Sequence, residues 1–360
     1  MTFPKTMTAM VTMGHGDLDQ IVLREDWPRP EPADDEVLIC VGACGLNNTD
    51  VNTRSGWYSK TVTSATTGGA FDTVGEDDPT WGAAPIAFPR IQGADVCGEI
   101  VAVGRDVDAA RIGERVITDG WLRDTGALDD INKTGYFGSE RDGGFAEYTT
   151  TPARNALAVQ SDLSDAELAT FSCSYSTAEG MLTRANVTAR DTVLVPGASG
   201  GVGGALVQLA KRRGARVIAL ASSAKHAEVA ALGPDRILDR APNDLRAALG
   251  DEKITVVADV VGGPYWPNLI DILERGGRYT CSGAIAGPMV DLDLRTFYLR
   301  DLTFAGSTVI TPDVMPNLIR YIEQGEIRPS LAATYPLAQL REAQAAFIAK
   351  KHTGNIVVIP

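Results

Sequence analysis

Basic residues are in short supply. The chain of 360 residues carries 33 Lys and Arg against 46 Asp and Glu, a formal net charge of −13. A phosphate backbone or an anionic lipid surface would be repelled by most of such a surface, so no nucleic acid and no membrane partner is expected. Cysteine is also sparse. Cys40, Cys44, Cys97, Cys173 and Cys281 lie far apart, form no C-x-x-C pair and are odd in number, which argues against a disulfide scaffold and for reduced thiols held mostly in cores. No run of about 18 apolar residues occurs, and the start M-T-F-P-K-T-M-T-A-M-V is too poor in apolar residues for a secretory signal. Nothing in the sequence exports or anchors the chain, and a cytoplasmic location is the expectation. No internal repeat or low-complexity tract stands out. What is present is length for about two domains and 44% hydrophobic residues, enough for more than one core. Small-molecule chemistry is the function class left open.

The organisation changes along the chain. Up to about residue 155, short runs of strand character, T-A-M-V-T-M, E-V-L-I-C-V, C-G-E-I-V-A-V-G, E-R-V-I-T and F-A-E-Y-T-T-T, alternate with Gly, Pro and Asp clusters. A compact, mostly β domain is predicted. From about residue 161 to 310 the rhythm becomes strand, glycine, helix, beginning D-T-V-L-V, V-G-G-A-L-V-Q-L-A-K-R-R-G, R-V-I-A-L and K-H-A-E-V-A-A-L-G. Gly214, Gly233 and Gly250 fall where glycine closes a helix. Strands alternating with helices of about 8–12 residues imply parallel βαβ units, hence an α/β doubly wound sheet. Further helices are expected near 267–275, 315–323 and 338–350. A final strand, N-I-V-V-I-P, should return to the first domain, so the expected domains are 1–158 with 312–360, and 159–311. Residues 59–90 follow neither period, and so irregular a stretch is either a functional rim or a surface elaboration.

The strongest chemical signal is V-L-V-P-G-A-S-G-G-V-G-G-A-L, residues 193–206. A hydrophobic strand running into a glycine turn that opens a helix is the context that makes such a motif a dinucleotide site. Unhindered N–H groups at Gly200, Gly201 and Val202, with Ser199 in the same turn, can approach a pyrophosphate at the positive end of the helix dipole. Gly203 would allow close helix–strand packing, while Ala198 stands where the fingerprint usually has its first glycine. About 20 positions on, an acid would bind the ribose diol of NAD. Here the second strand runs into A-S-S-A-K-H, residues 221–226, without one. Ser222, Ser223 and Lys225, joined by Arg240 after the next strand, instead suit a 2′-phosphate and so NADPH. The alternative is a serine N-cap and a solvated lysine opening a helix.

Four stretches carry a family resemblance: G-L-N-N-T-D-V-N-T-R-S-G-W-Y (45–58), G-A-D-V-C-G-E-I-V-A-V-G (93–104), D-G-G-F-A-E-Y (142–148) and G-A-S-G-G-V-G (197–203). Over nearly its whole length the chain resembles the medium-chain dehydrogenase/reductase superfamily, and within it the quinone oxidoreductase branch. The resemblance implies a GroES-like catalytic domain followed by a Rossmann domain. Zinc alcohol dehydrogenases of that superfamily would read C-G-x-C-x-T-D at the first motif, with its second cysteine a zinc ligand, and G-H-E at the second. Asn47 and Ala94 stand at those two ligand positions, and only Cys173, in F-S-C-S-Y-S-T, matches the third. No metal is therefore expected. The resemblance makes Asn47, Thr49 and Tyr58 candidates for polarising a carbonyl or delivering a proton, with Asp50 an organiser and Asn52 in place of a relay histidine. For Tyr58, a partly buried aromatic at a loop end is the bland alternative. The resemblance also points to Thr177, Val261, Gly262, Gly263, Ser282, Ala284, Ile285 and Asn355 as cofactor-binding positions. Cys173 reads as a buried thiol rather than a nucleophile.

The expected activity is zinc-independent hydride transfer from NADPH to an α,β-unsaturated carbonyl or quinone. Two rivals stand beside it: an alcohol or aldehyde oxidoreductase, and an NADPH-binding structural or sensing protein with little turnover. The apolar run L-T-F-A-G-S-T-V-I (302–310) would lie at the edge of the second sheet, and an exposed apolar edge strand invites pairing, so a homodimer is expected.

Overall fold

The computed structural model describes residues 3–66, 69 and 85–360, so residues 67–68 and 70–84 of the irregular stretch lie outside the described residues. Two compact units divide the chain. The first comprises Met1–Val62, Thr67–Cys173 and Thr311–Pro360, the second Thr63–Thr66 and Ser174–Ile310.

The first unit is built on the strand Glu36–Gly45, whose run of Val, Leu, Ile and Cys is buried on both faces. Asp95–Val103 pairs with it antiparallel along one edge. The other edge is shared: Tyr148–Pro152 pairs with its first half and Asn355–Ile359 with its end. The last strand thus returns to the first unit, beside Leu331–Pro336. A smaller sheet joins Ile21–Pro28, Thr6–Thr12 and Arg90–Ile91.

These bounds differ from expectation at residues 63–66, which fall in the second unit, at residue 311, which falls in the first, and over a longer stretch before the second sheet. Residues 159–173, assigned by rhythm to the second domain, belong to the first unit. Arg115 holds them there, donating to Asp165 Oδ1 at 2.7 Å, Ser161 O at 3.0 Å and Leu163 O at 2.6 Å. A tertiary tie of this kind leaves no trace in periodicity.

The second unit holds a parallel sheet in the order Arg236–Asp239, Arg216–Ala221, Thr192–Pro196, Ile254–Asp259, Leu273–Cys281, Thr303–Gly306. Numbered along the chain this is 3-2-1-4-5-6, the doubly wound order of a Rossmann fold. Its inner strands Thr192–Pro196, Arg216–Ala221 and Ile254–Asp259 are near-continuous apolar runs, and Leu194, Ile218, Leu220, Ile254, Val257 and Leu273 form its core with Trp266 and Leu269. Gly214, Gly233 and Gly250 take φ of +80°, +82° and +65°. Helices of 8–12 residues are realised by Gly201–Arg212, but His226–Ala230 and Leu245–Leu249 are shorter. Ser223–Lys225 forms a 3-10 turn before the first of these, and Gly233 followed by Pro234 stops it. Among the described residues no helix is long and apolar enough to cross a membrane.

Candidate functional site

The motif 45–58 folds as strand end, cap and helix. Asn47 is extended, and its side chain receives the Asp50 N–H while Asp50 Oδ2 accepts the Asn47 N–H at 2.8 Å, a reciprocal capping box that starts the helix Asn48–Ser55. No apolar stripe announces this helix. Its residues are N-T-D-V-N-T-R-S, yet Asp50 through Ser55 are all buried.

Two carboxyls flank Asn47. Its Nδ2 donates to Asp95 Oδ2 at 3.0 Å, and Asp95 Oδ1 accepts the Cys173 N–H at 2.8 Å. Asp95 lies opposite Gly45 in the ladder, and a Cβ at Gly45 would stand 2.3 Å from Ala169 O and 3.1 Å from Asp95 Cβ, so glycine keeps room for the carboxyl. Asp50 and Asp95 are 4% and 1% exposed. Burial pushes each up to about 7 against the N–H groups that donate to them, and the Asp50 charge adds to the rise at Asp95.

Two tyrosines converge on the same place. After Gly56, at φ +78°, the chain turns so that the Tyr58 hydroxyl comes within hydrogen-bonding reach of Asn52 and Thr49 and beside Cys173. Tyr136 belongs to the two-stranded sheet Trp121–Arg123 with Thr134–Tyr136, packs edge-on against Trp121 at 4.9 Å and reaches the Cys173 thiol. Burial pushes both phenols well above their ordinary range. Both hydroxyls therefore keep their protons at neutral pH and can serve as donors. From the sequence, Trp121 and Tyr136 are residues on which pocket shape depends, in a segment the sequence does not place. The glycine before its strand partner is a weak signal: a Cβ at Gly120 would come within 2.9 Å of the Tyr136 ring.

The residues at the three zinc-ligand positions do not fit that metal. The Asn47 amide is occupied by Asp50 and Asp95, Ala94 offers a methyl group, and one thiol, Cys173, remains. A catalytic zinc needs about three protein ligands. Among the described residues no group of three His, Cys, Asp or Glu is placed to hold a metal ion.

In the second unit Gly197, at φ +67°, turns the chain out of the strand Thr192–Pro196, and Gly200 caps the helix Gly201–Arg212. A Cβ at Gly203 would sit 2.1 Å from Gly197 O, so close packing of turn and helix requires glycine there. At Gly200 a Cβ would meet only Gly197 O, at 3.5 Å. The turn thus offers an open approach to the first N–H groups of the helix, at Gly201 and Val202 beside Ser199, whereas the Gly200 N–H, counted with them from the sequence, donates to Gly197 O at 3.0 Å and closes the turn.

Val261, Gly262, Ser282, Ala284 and Ile285 gather at the same sheet end. Asp259, fully buried, accepts the Val261 N–H at 2.7 Å, the Gly262 N–H at 3.2 Å and the Tyr279 hydroxyl at 2.9 Å. The next turn locks onto it: Ser282 N–H donates to Asp259 O, Ile285 N–H to Val260 O and Ala286 N–H to Val261 O, while a Cβ at Gly262 would meet Ala284 at 3.3 Å. Val261 in turn touches the glycine turn, since a Cβ at Gly197 would meet its Cγ2 at 3.0 Å. These turns meet where the strand order reverses, which is where doubly wound sheets take their ligand. Thr66 N–H donates to Ile285 O at 3.0 Å, bringing the start of the irregular stretch to the same turn. At the end of the second strand Ser222, Ser223 and Lys225 follow Ala221. Burial lowers the Lys225 pKa, with Glu228 opposing and the nearby Arg240 charge adding to the fall. Thr177 is half-buried on the helix Ser172–Arg184. Asn355, in the first unit, opens the last strand and donates its N–H to Ser330 O at 2.7 Å.

Residues 33–161 match the family model of the alcohol dehydrogenase GroES-like domain, and residues 201–324 match that of the zinc-binding dehydrogenases. The chain belongs to the medium-chain dehydrogenase/reductase superfamily. As a member it is an oxidoreductase with a GroES-like domain and a Rossmann sheet. It is similar to a candidate alcohol dehydrogenase of Sinorhizobium meliloti 1021 of solved structure, 47% identical with a TM-score of 0.90 over 99% of this chain and 98% of that one. It is 28% identical to the acryloyl-coenzyme A reductase of Metallosphaera sedula over 98% of this chain and 99% of the relative. With the chloroplastic NADPH-dependent alkenal/one oxidoreductase of Arabidopsis thaliana it shares 27% identity over 100% of this chain and 81% of the relative. A medium-chain dehydrogenase/reductase needs a nicotinamide cofactor, and the glycine turn is the part of this chain that fits one.

Proposed function

We propose that the protein is an NADPH-dependent, zinc-independent reductase of small α,β-unsaturated carbonyl compounds or quinones. The observation that carries this reading is the pair of protonated hydroxyls, buried Tyr136 at the Cys173 thiol and half-buried Tyr58 near it, where the donor set does not fit a metal. NADPH, when bound, supplies the hydride. Gly201 and Val202 bind the pyrophosphate through their N–H groups, with Gly200 and Ser199 beside them. Ser222, Ser223, Lys225 and Arg240 bind the 2′-phosphate, and Thr177, Val261, Ser282, Ala284, Ile285 and Asn355 hold the nicotinamide half. Tyr58 donates to the carbonyl oxygen as negative charge grows there, and Thr49 and Asn52 hold its hydroxyl. Asp50 organises the helix start beneath them. A zinc ion would otherwise stabilise charge on an alkoxide. A conjugated acceptor spreads that charge, so hydroxyl donors suffice. Two of the relatives act, by name, on conjugated carbonyl compounds.

A second reading, oxidoreduction of simple alcohols and aldehydes, draws support from the S. meliloti relative. Following NADPH oxidation with an enone, a quinone and an aldehyde, each with and without chelator, separates the two. Turnover of the aldehyde alone, or activity lost to chelator and restored by zinc, would sink the reading proposed here.

A homodimer in a cytoplasmic setting completes the proposal. Thr303–Gly306 is the outermost strand of its sheet, and the helix Leu294–Leu299 before it leaves Leu294, Tyr298 and Leu299 65%, 60% and 56% exposed. Light scattering at micromolar concentration should give twice the chain mass; a monomer mass removes the dimer.

A further inference from the structure

Asp95 is the buried carboxyl to which the proposed reaction assigns no task. Its oxygens take hydrogen bonds from two separate parts of the chain, Oδ2 from Asn47 Nδ2 at 3.0 Å and Oδ1 from the Cys173 N–H at 2.8 Å. Positions 47 and 173 are two of the three that a catalytic zinc joins in the metal-dependent branch, and the third, Ala94, adjoins Asp95. We infer that Asp95 is the internal cross-link of this site, a positioning residue that ties Asn47 to Cys173 by hydrogen bonds where the donor set does not fit a metal.

The chemistry of the partners suits a carboxylate. Both are donors, an amide NH2 and a backbone N–H, and an ionised acceptor makes such bonds roughly twice as strong as a neutral one. Asn47 is thereby held at both ends of its amide, by Asp95 on the nitrogen side and by the Asp50 N–H it caps on the oxygen side. Thr49 sits on the first turn of the helix that Asn47 starts, and the Tyr136 hydroxyl reaches the Cys173 thiol with the Tyr58 hydroxyl near it. Their mutual placement passes through Asp95. Gly45 makes this possible, because any side chain there would crowd both Ala169 O and Asp95. The inference rests on reading this cluster as the reaction centre.

Exchanging the two side chains tests it. Asn47→Asp alone sets two carboxylates against each other. It should lower Tm by roughly 5 °C or more and kcat of the folded enzyme about tenfold or more, with KM for NADPH unchanged within about twofold. In Asn47→Asp with Asp95→Asn, donor and acceptor are reversed and both bonds can form again, so at least half of each loss should be recovered. Losses of the two single variants that merely add would overturn the cross-link. Recovery of Tm with kcat unmoved in every variant would overturn the positioning role. A wild-type enzyme that reduces no acceptor would sink the proposed function, and the Tm cycle would still decide whether Asp95 bonds to Asn47.

Discussion

The two candidate regions are built by opposite means. The glycine turn of the second unit works through backbone: positive φ at Gly197, a Gly203 with no room for a side chain, and N–H groups at a helix start. The cluster at Asn47 works through side chains drawn from positions 47, 58, 95, 136 and 173, among them carboxyls and phenols whose ionisation burial suppresses. The first is a local object and tolerates almost no change at a few glycines. The second is an assembled object, whose parts can be altered one at a time with separable effects on catalysis.

Four measurements can break or sharpen that contrast. Gly203→Ala should have the largest effect, because its Cβ would meet a backbone oxygen at 2.1 Å. A cost on the order of 3 kcal/mol and loss of measurable NADPH binding are expected; near-normal affinity in a fluorescence titration would mean that the turn yields. Tyr58→Phe should lower kcat about 100-fold with NADPH affinity intact, and Tyr136→Phe should do the same to a smaller degree. A fall in NADPH affinity instead would deny the separation of the two regions. Lys225→Ala should raise KM for NADPH about tenfold or more and leave NADH unchanged. Equal weakening of both cofactors would make A-S-S-A-K-H a helix start and nothing more.

The smallest effect concerns pH. Asp95 has a folded pKa of about 7, raised from 3.8, so the folded protein keeps a proton that the unfolded chain has lost between those values. Its contribution to stability therefore declines as pH rises through that window and levels off above about 7. Between pH 6 and pH 8 this amounts to about 1 kcal/mol. Denaturant unfolding at the two pH values should show a smaller decline in Asp95→Asn than in the wild type, and identical declines would contradict the buried-carboxyl assignment.

Legibility followed the same divide. V-L-V-P-G-A-S-G-G-V-G is read from consecutive residues, and the structure forms a strand, turn and helix on them. The zinc-ligand substitutions at Asn47 and Ala94 are legible for the same reason, since each lies inside a contiguous motif. The helix Asn48–Ser55 escaped because its polar residues are buried by tertiary contacts and its start depends on a cap. The placement of Tyr136, though not its link to pocket shape, escaped because nothing near it in the chain marks its contact with Cys173, and the boundary at Cys173 escaped because Arg115 makes it from 46 to 50 residues away.

The sequence by itself determined the two-unit order, the parallel sheet with its glycine turn, and the loss of two zinc-ligand residues. Each of these is written in neighbouring residues, through hydrophobic period, glycine placement or residue identity at a motif position. Only the tertiary structure decided that Asp95 bonds to both Asn47 and Cys173, that Tyr136 reaches the Cys173 thiol and Tyr58 reaches Asn52 and Thr49, and that the turns after three strands close on one another. Burial and hydrogen-bond partnership are properties of groups brought together from distant positions, and they set which acids stay protonated and which amides are held.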